Sequence, residues 1–185
     1  KSAVPFIIYF LFKTGMRFGE LIALTWEDIN FNEKVIRTYR RYNTSTRQFV
    51  PPKNQTSIRN IPISDEEINI LKALKQEQVR LNNELRIINI NNFIFQHYGY
   101  VQDIPNNATV NKELRKILIR LDISPIITTK GARHTYGSFL WHNQIDLGVI
   151  ARILGHKDIS MLVEVYGHTL QEKINDEFDN VRKLL

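Results

Sequence analysis

The sequence predicts a mainly helical α+β domain with one small antiparallel sheet. Three observations support this fold class. Over most of the chain, apolar residues recur at the three- and four-residue spacing of amphipathic helices. Between residues 31 and 63 the pattern changes to a period of two with many β-branched residues, which is typical of strands. A length of 185 residues with 43% hydrophobic residues suits one domain, residues 1–185, with its own core.

Two helices are predicted before the sheet. Residues 2–13 form a buried helix that ends at Thr14-Gly15. Arg17 opens a second helix over 18–24, with Glu20 three residues after Arg17. This spacing puts both side chains on one helix face, where the carboxylate is able to orient the guanidinium. A surface ion pair of little energetic weight is the alternative.

The sheet is predicted to contain about three strands within residues 31–63. Pro51-Pro52 and Asn54-Gln55 mark turns, and Lys53 lies at the turn between them. A lysine at a loop tip is usually only solvated, so its position alone assigns it no chemistry.

The second half of the chain is predicted to be helical. A helix begins at Ser64, with acidic residues in its first turn, and continues to about residue 82. A short buried segment follows at 91–97, then an amphipathic helix at 110–121. An apolar stripe of helical spacing runs through the tail, 171–185.

The formal net charge of +6 comes entirely from one segment. Between Val35 and Ser64 the chain has six basic residues and no acidic one, while the rest carries 19 of each. A positive patch of this kind suits contact with a phosphate backbone. A solvated sheet edge protected by charge is the alternative, but the lack of a compensating acid favours nucleic acid. The candidate DNA-binding residues are Arg37, Arg40, Arg41, Arg47 and Arg59.

Composition excludes several classes of protein. Without cysteine the chain has no disulfide and no thiolate metal site, and no apolar run approaches bilayer length, so a soluble cytoplasmic protein is the expectation. No histidine pair has metal-ligand spacing, and the chain lacks a P-loop and a dinucleotide fingerprint, so no metal or cofactor is expected. Because the chain begins at Lys1 without methionine and enters a helix almost at once, we expect a fragment of a longer protein that lacks an N-terminal domain.

The stretch 128–168 carries a histidine, a tyrosine and two cations at intervals that core packing does not require. Lys130 and Arg133 lie three residues apart at a predicted helix start, so both are able to address one anion. His156 follows a one-sided apolar helix, 146–154.

The ends of that helix are also encoded. Asp146 is its predicted N-cap, and Gly155 is its predicted stop. Ten residues after His156, Tyr166 is predicted to lie on a short amphipathic helix, with its hydroxyl at the edge of an apolar stripe.

This pattern resembles the catalytic half of tyrosine recombinases, the phage-type integrases. The family has a histidine or lysine, then an arginine three residues later, a leucine-glycine-histidine, and finally a nucleophilic tyrosine. The stretch 14–29 also resembles the family's first arginine box, and 52–63 resembles its lysine hairpin. The residues that match are Lys130, Arg133, Leu154, Gly155, His156 and Tyr166, and upstream Arg17, Lys53, Ser57, Arg59, Ile61 and Pro62.

The resemblance implies a fold, a tyrosine-recombinase catalytic domain, and a role for each of these positions. Tyr166 would be the nucleophile, Lys53 the general acid, and Glu20 a support for the first catalytic arginine, Arg17. Lys130 stands where histidine is commoner in the family. The alternative is that His134 acts in place of Lys130, which we consider weaker because on an ideal helix His134 points about 100 degrees away from Arg133. The implied catalytic set is Arg17, Lys53, Lys130, Arg133, His156 and Tyr166.

The implied function is site-specific cleavage and rejoining of double-stranded DNA through a 3′-phosphotyrosyl intermediate, without metal, for integration or excision of a prophage or mobile element. The resemblance also implies a monomer without DNA and a homotetramer in the synaptic complex. A chromosome-dimer recombinase and a type IB topoisomerase share this chemistry and remain alternatives. A non-catalytic DNA-binding module, with a merely structural Tyr166, is the alternative from another class. The sequence does not separate an integrase from a transposase or a resolvase.

Overall fold

The computed structural model describes residues 2–98, 104–160, 162–164, 178 and 181–185. Six named helices and five strands lie within these ranges. The helices are α1 Val4–Thr14, α2 Phe18–Leu21, α3 Asp65–Leu85, α4 Asn107–Arg120, α5 Thr129–His142 and α6 Leu147–Leu154. The strands are β1 Ile29–Asn30, β2 Val35–Thr38, β3 Arg41–Asn43, β4 Gln48–Val50 and β5 Arg59–Pro62. The predicted fold class, mainly helical with a small antiparallel sheet, is confirmed.

The strands form two separate antiparallel units. The predicted sheet of three strands has the order β1-β2-β5, and β3 with β4 forms a two-stranded ribbon beside it. Ile36 of β2 pairs with Ile61 of β5, and both side chains are fully buried. This pair therefore fixes which face of β5 points inward, and the alternation along the strand places Arg59 on the same face.

Helix α1 is the centre of the main core. Ile7, Phe10 and Leu11 are completely buried, and α1 packs against α2, α4 and α5. The helix ends at Gly15, whose φ of 61° is left-handed. A Cβ at this position would lie 2.5 Å from a ring carbon of Tyr136, so glycine allows α5 to approach the end of α1.

Helix α6 forms a second, smaller core with α5. Leu147, Ile150 and Leu154 pack with Tyr136 of α5 and with Leu162. The predicted cap is confirmed, because the Asp146 carboxylate accepts hydrogen bonds from the first backbone N–H groups of α6. The predicted stop is confirmed as well, because Gly155 is the left-handed C-cap residue of α6.

Several element boundaries differ from the sequence predictions. Helix α2 ends at Leu21 rather than at residue 24, and α3 continues to Leu85. The tail stripe is only partly described: Phe178 and Val181 are helical and more than 45% exposed. In the described part of the chain, no helix is long and apolar enough to cross a membrane.

We predict that Gly155→Ala destabilises the fold by about 1–3 kcal/mol. Gly155 has a φ of +67°, and an added Cβ would meet the Thr56 carbonyl oxygen at 2.6 Å. Gly19→Ala is the matched control, because Gly19 lies in α2 and its nearest neighbour would be at an ordinary 3.5 Å. Urea unfolding measures both variants. Equal stability of the two proteins would contradict the strain argument.

Candidate active site

Arg17 is the N-cap residue of α2, and the Glu20 carboxylate accepts two hydrogen bonds from it. The backbone N–H of Arg17 donates to Glu20 Oε2 at 3.1 Å, and its Nη1 donates to Glu20 Oε1 at 2.8 Å. The Arg17 side chain is 29% exposed whereas that of Glu20 is 1% exposed. The predicted Arg17–Glu20 pairing is confirmed, and the burial of Glu20 distinguishes it from a surface ion pair.

Arg59 binds the same carboxylate from the opposite side. Its Nη2 donates to Glu20 Oε2 at 3.0 Å, and its side chain is only 4% exposed. Its Nε donates to the Ile153 carbonyl at 2.5 Å and its Nη1 to the Ser57 carbonyl at 3.1 Å. The sequence suggested Arg59 as a DNA contact. Burial on the inward face of β5 does not fit that role.

Arg133 is presented by a well-anchored start of α5. The Thr129 backbone N–H donates to Asn111 Oδ1 of α4 at 2.9 Å, which fixes the first turn of α5. One turn further, Arg133 Nη1 donates to the Gly15 carbonyl at 2.7 Å, and its Nη2 donates to the Leu154 carbonyl. Burial, followed by the nearby charges of Arg17 and Arg59, lowers the pKa of Arg133 to about 9, so the guanidinium stays charged at neutral pH.

The carboxyl end of α6 accepts hydrogen bonds from all three arginines. Arg59 bonds to the Ile153 carbonyl, Arg133 to that of Leu154, and Arg17 to that of Gly155 at 3.4 Å. The last carbonyls of a helix carry the negative end of its dipole and lack partners within the helix. The end of α6 therefore acts with Glu20 as the counterion of a buried cationic cluster.

His156 follows directly after this turn. Its backbone N–H closes the helix end on the Ala151 carbonyl at 2.9 Å. Burial is the main cause that lowers the pKa of the His156 imidazole to about 4, and Arg133, Arg17 and Arg59 add to it. The ring is therefore neutral at physiological pH. Among the described residues, its buried Nδ1 has no hydrogen-bond partner.

Lys53 lies on the loop between β4 and β5. Asn54 anchors this loop, because its Oδ1 accepts from the Ser57 backbone N–H at 3.1 Å and from Ser57 Oγ at 2.7 Å. Thr56 Oγ1 donates to the Gly155 carbonyl at 3.2 Å, which ties the loop to the end of α6. The Lys53 side chain is exposed.

One cavity of about 470 Å³ collects the expected catalytic side chains. Five of the six predicted residues line it, and no carboxylate is among the described lining residues. The sixth, Tyr166, lies outside the described residues. His134 also lines the cavity, so the helix-direction argument does not exclude it as the partner of Arg133. The lining residues are Met16, Arg17, Phe18, Lys53, Thr129, Lys130, Arg133, His134, Leu154, His156 and Leu162.

The basic segment is less uniformly positive than its sequence indicates. Arg40 pairs with Asp28 at 2.8 Å and lies over the rings of Tyr39 and Phe49, at 4.4 and 4.8 Å from their centroids. Its acid partner, Asp28, lies just before β1, so a count of charges within residues 35–64 misses it. The expectation of a DNA contact is therefore weakened for Arg40, as for Arg59. The remaining candidates for a DNA contact are Arg37, Arg41 and Arg47, which form no ion pair with an acid among the described residues.

The fold is a mainly helical domain, and its cavity is lined by basic side chains with no carboxylate among the described lining residues. A profile of the phage integrase family matches residues 4–173, so the chain belongs to that family. The resemblance to tyrosine recombinases is thereby confirmed.

Individual relatives agree with this assignment. The chain is 30% identical over 178 residues to the ICEBs1 integrase of Bacillus subtilis (strain 168), covering 94% of this chain and 47% of the relative. It is 27% identical over 187 residues to a XerC-like tyrosine recombinase of Caldanaerobacter subterraneus, with the same coverage of both chains. The chain thus spans about half the length of these curated relatives.

Solved structures share the fold at lower identity. The Tn1549 transposon integrase, in complex with transposon right end DNA, superposes with a TM-score of 0.71 at 22% identity, covering 95% of this chain and 57% of that one. XerA recombinase superposes with a TM-score of 0.62 at 18% identity, covering 90% and 62%. At these identities the likeness supports the fold alone.

We predict that His156 weakens the fold as the pH falls. Because its folded pKa of about 4 lies below the ordinary value of 6.5, the unfolded chain takes up a proton first, and stability is lost from about pH 6.5 downward. Between pH 7 and 5 the wild type should lose about 1–2 kcal/mol more than His156→Gln. Urea unfolding across this range tests it. Parallel pH profiles for the two proteins would contradict the lowered pKa.

Proposed function

We propose that the whole protein is a site-specific DNA recombinase that cleaves and rejoins strands through Tyr166, and that it serves as the integrase of a prophage or other mobile element. One observation carries the proposal. Arg17, Lys53, Lys130 and Arg133 surround a single cavity together with His156, and no described carboxylate lines it. Such a cavity suits a phosphodiester whose negative charge grows during the reaction.

The arginines supply preorganised charge stabilisation. A planar guanidinium presents paired donors that match two phosphate oxygens. Since Glu20 and main-chain carbonyls already fix Arg17 and Arg133, these groups need little reorganisation when charge develops on the phosphorus oxygens. Lys130 adds a further basic side chain to the cavity. His156, neutral with a pKa of about 4, contributes a hydrogen bond rather than a positive charge.

Tyr166 would attack the phosphorus while these basic side chains surround the phosphate. A phenol has a pKa of about 10, so nearby cations are needed to favour the phenolate. The oxygen–phosphorus bond forms as the bond to the 5′ oxygen breaks, which gives a 3′-phosphotyrosyl link and a 5′ hydroxyl. Lys53 would donate the proton that the leaving 5′ oxygen requires. A 5′ hydroxyl from another strand reverses the step and completes rejoining.

The proposal extends to partners and place. Double-stranded DNA would be held partly by Arg37, Arg41 and Arg47, with further DNA-binding domains elsewhere in the whole protein. We propose a monomer without DNA, a homotetramer in the synaptic complex, and a cytoplasmic location at the bacterial nucleoid. The integrase assignment is supported by the similarity to the ICEBs1 integrase. The similarity to Xer recombinases keeps a chromosome-dimer role as the alternative.

We predict that the full-length protein becomes covalently attached to a nicked duplex carrying the recombination site of its element. Tyr166→Phe removes the nucleophile, so it should bind this duplex without attaching. Denaturing gel electrophoresis of labelled DNA measures the link. EDTA should leave the yield unchanged, because the proposed chemistry uses no metal. Attachment in the Tyr166→Phe protein, or loss restored only by magnesium, would rule out the mechanism.

We predict that Lys53→Ala slows attachment on the order of 100-fold or more. Replacing the bridging 5′ oxygen of the DNA by sulfur should restore the rate, because a thiolate leaves without a proton. Lys130→Ala is the matched control: an exposed lysine of the same cavity is removed, but its slower rate should persist with sulfur. Single-turnover kinetics measures all four combinations. Rescue of Lys130→Ala instead of Lys53→Ala would exchange the two roles and refute the assignment.

A further inference from the structure

We propose that Arg59 is a positioning residue that sets the geometry of both Arg17 and the turn carrying His156. The inference rests on the proposed function, which assigns Arg17 and His156 their catalytic roles. Arg59 itself is separated from the cavity, since it is absent from the residues that line it and its side chain is 4% exposed.

The Arg59 guanidinium connects three elements of the structure. From β5 it donates to Glu20 of α2 at 3.0 Å, to the Ser57 carbonyl in the loop between β4 and β5 at 3.1 Å, and to the Ile153 carbonyl of α6 at 2.5 Å. These bonds use Nε, Nη1 and Nη2, so each of the three nitrogens of the planar guanidinium fork donates a hydrogen bond. Because the fork is rigid, it fixes the three acceptors relative to one another.

One consequence concerns Arg17. Glu20 Oε2 accepts from Arg59 and from the Arg17 backbone, which leaves Oε1 for the Arg17 guanidinium. The Glu20 pKa remains below its ordinary value despite burial, because Arg59 and Arg17 both stabilise the carboxylate. Arg59 therefore holds the carboxylate in the orientation that aims Arg17 at the cavity. Without it, a buried oxygen of Glu20 would lose its charged partner.

A second consequence concerns His156. A Cβ placed on Gly155 would lie 3.0 Å from Arg59 Nη1 and 3.2 Å from its Cδ, so the side chain is in close contact with the turn. Arg59 also bonds to the carbonyl of Ile153, in the last turn of α6. The position of the next residue, His156, is set by this turn. Small displacements of a catalytic group cost on the order of 100-fold in rate.

The experiment uses full-length protein and four variants. Arg59→Gln removes the charge, and Arg59→Lys keeps it but lacks the fork. Arg115→Gln is the control for charge loss, because Arg115 lies exposed on α4 with no proposed role. Arg37→Gln is the comparison for a phosphate contact. The measurements are the single-turnover attachment rate at saturating nicked duplex, the salt dependence of DNA affinity, and an NMR titration of the His156 ring.

We expect Arg59→Gln to attach on the order of 100-fold more slowly at saturating DNA, and Arg59→Lys at least about 10-fold more slowly. Both should keep the wild-type slope of log affinity against log salt, whereas Arg37→Gln should flatten it by about one unit. Arg115→Gln should attach at the wild-type rate.

The ring titration is independent of DNA. The groups that act on His156 are Arg133 and His134 from α5, Arg17, Arg59 and the neighbouring Asp158. Removing the Arg59 charge should raise the pKa of His156 in Arg59→Gln, while Arg115→Gln should leave it unchanged. A merely structural Arg59 would lower the melting temperature without slowing attachment by the folded protein.

Three results would overturn the inference. They are a wild-type attachment rate in either Arg59 variant, a salt slope flattened as in Arg37→Gln, and an unchanged His156 titration in folded Arg59→Gln. If Arg59→Gln fails to fold, Arg59→Lys decides through its rate and salt slope. If the wild type never attaches to DNA, the proposed function fails, and an unchanged ring titration in folded Arg59→Gln would still show that Arg59 does not act on His156.

Discussion

The shared carboxylate of Glu20 is the interaction on which the rest of the site depends. Three guanidinium groups lie close together in a poorly solvated place, where like charges repel and desolvation is costly. Glu20 binds Arg17 and Arg59, and the carbonyls at the end of α6 bind all three arginines. The site therefore exists only when α2, β5 and α6 are docked on the core, so folding and assembly of the cationic cluster are a single event.

Much of this arrangement was predictable because it is encoded by local signals. Asp146 and Gly155 mark the ends of α6, and the spacing of Arg17 and Glu20 gives their pairing. The family pattern named five residues that the fold brings to one cavity, although they are up to 139 positions apart. That convergence could not be derived from periodicity, since it requires the packing of α1 against α5 and of α5 against α6.

The errors arose where partners are distant in sequence. A run of basic residues without acids was interpreted as a positive patch for a phosphate backbone, but Asp28 pairs with Arg40 and Glu20 pairs with Arg59. A usable signal existed for Arg59: it lies two residues before Ile61 on β5, so it shares the inward face. Likewise, a separation of about 100 degrees on α5 did not keep His134 out of a cavity wide enough to accept both it and Arg133.

The use of main-chain acceptors at the end of α6 has a consequence for how this protein tolerates sequence drift. The carbonyls of Ile153 and Leu154 hold Arg59 and Arg133 whatever side chains those two positions carry. Apolar replacements of these side chains should thus leave the positions of the bound guanidinium groups unchanged. Helix length is different: one inserted or deleted residue within α6 rotates every following carbonyl by about 100 degrees. Homologues are accordingly expected to vary at the position of Ile153 and to keep the length of this helix.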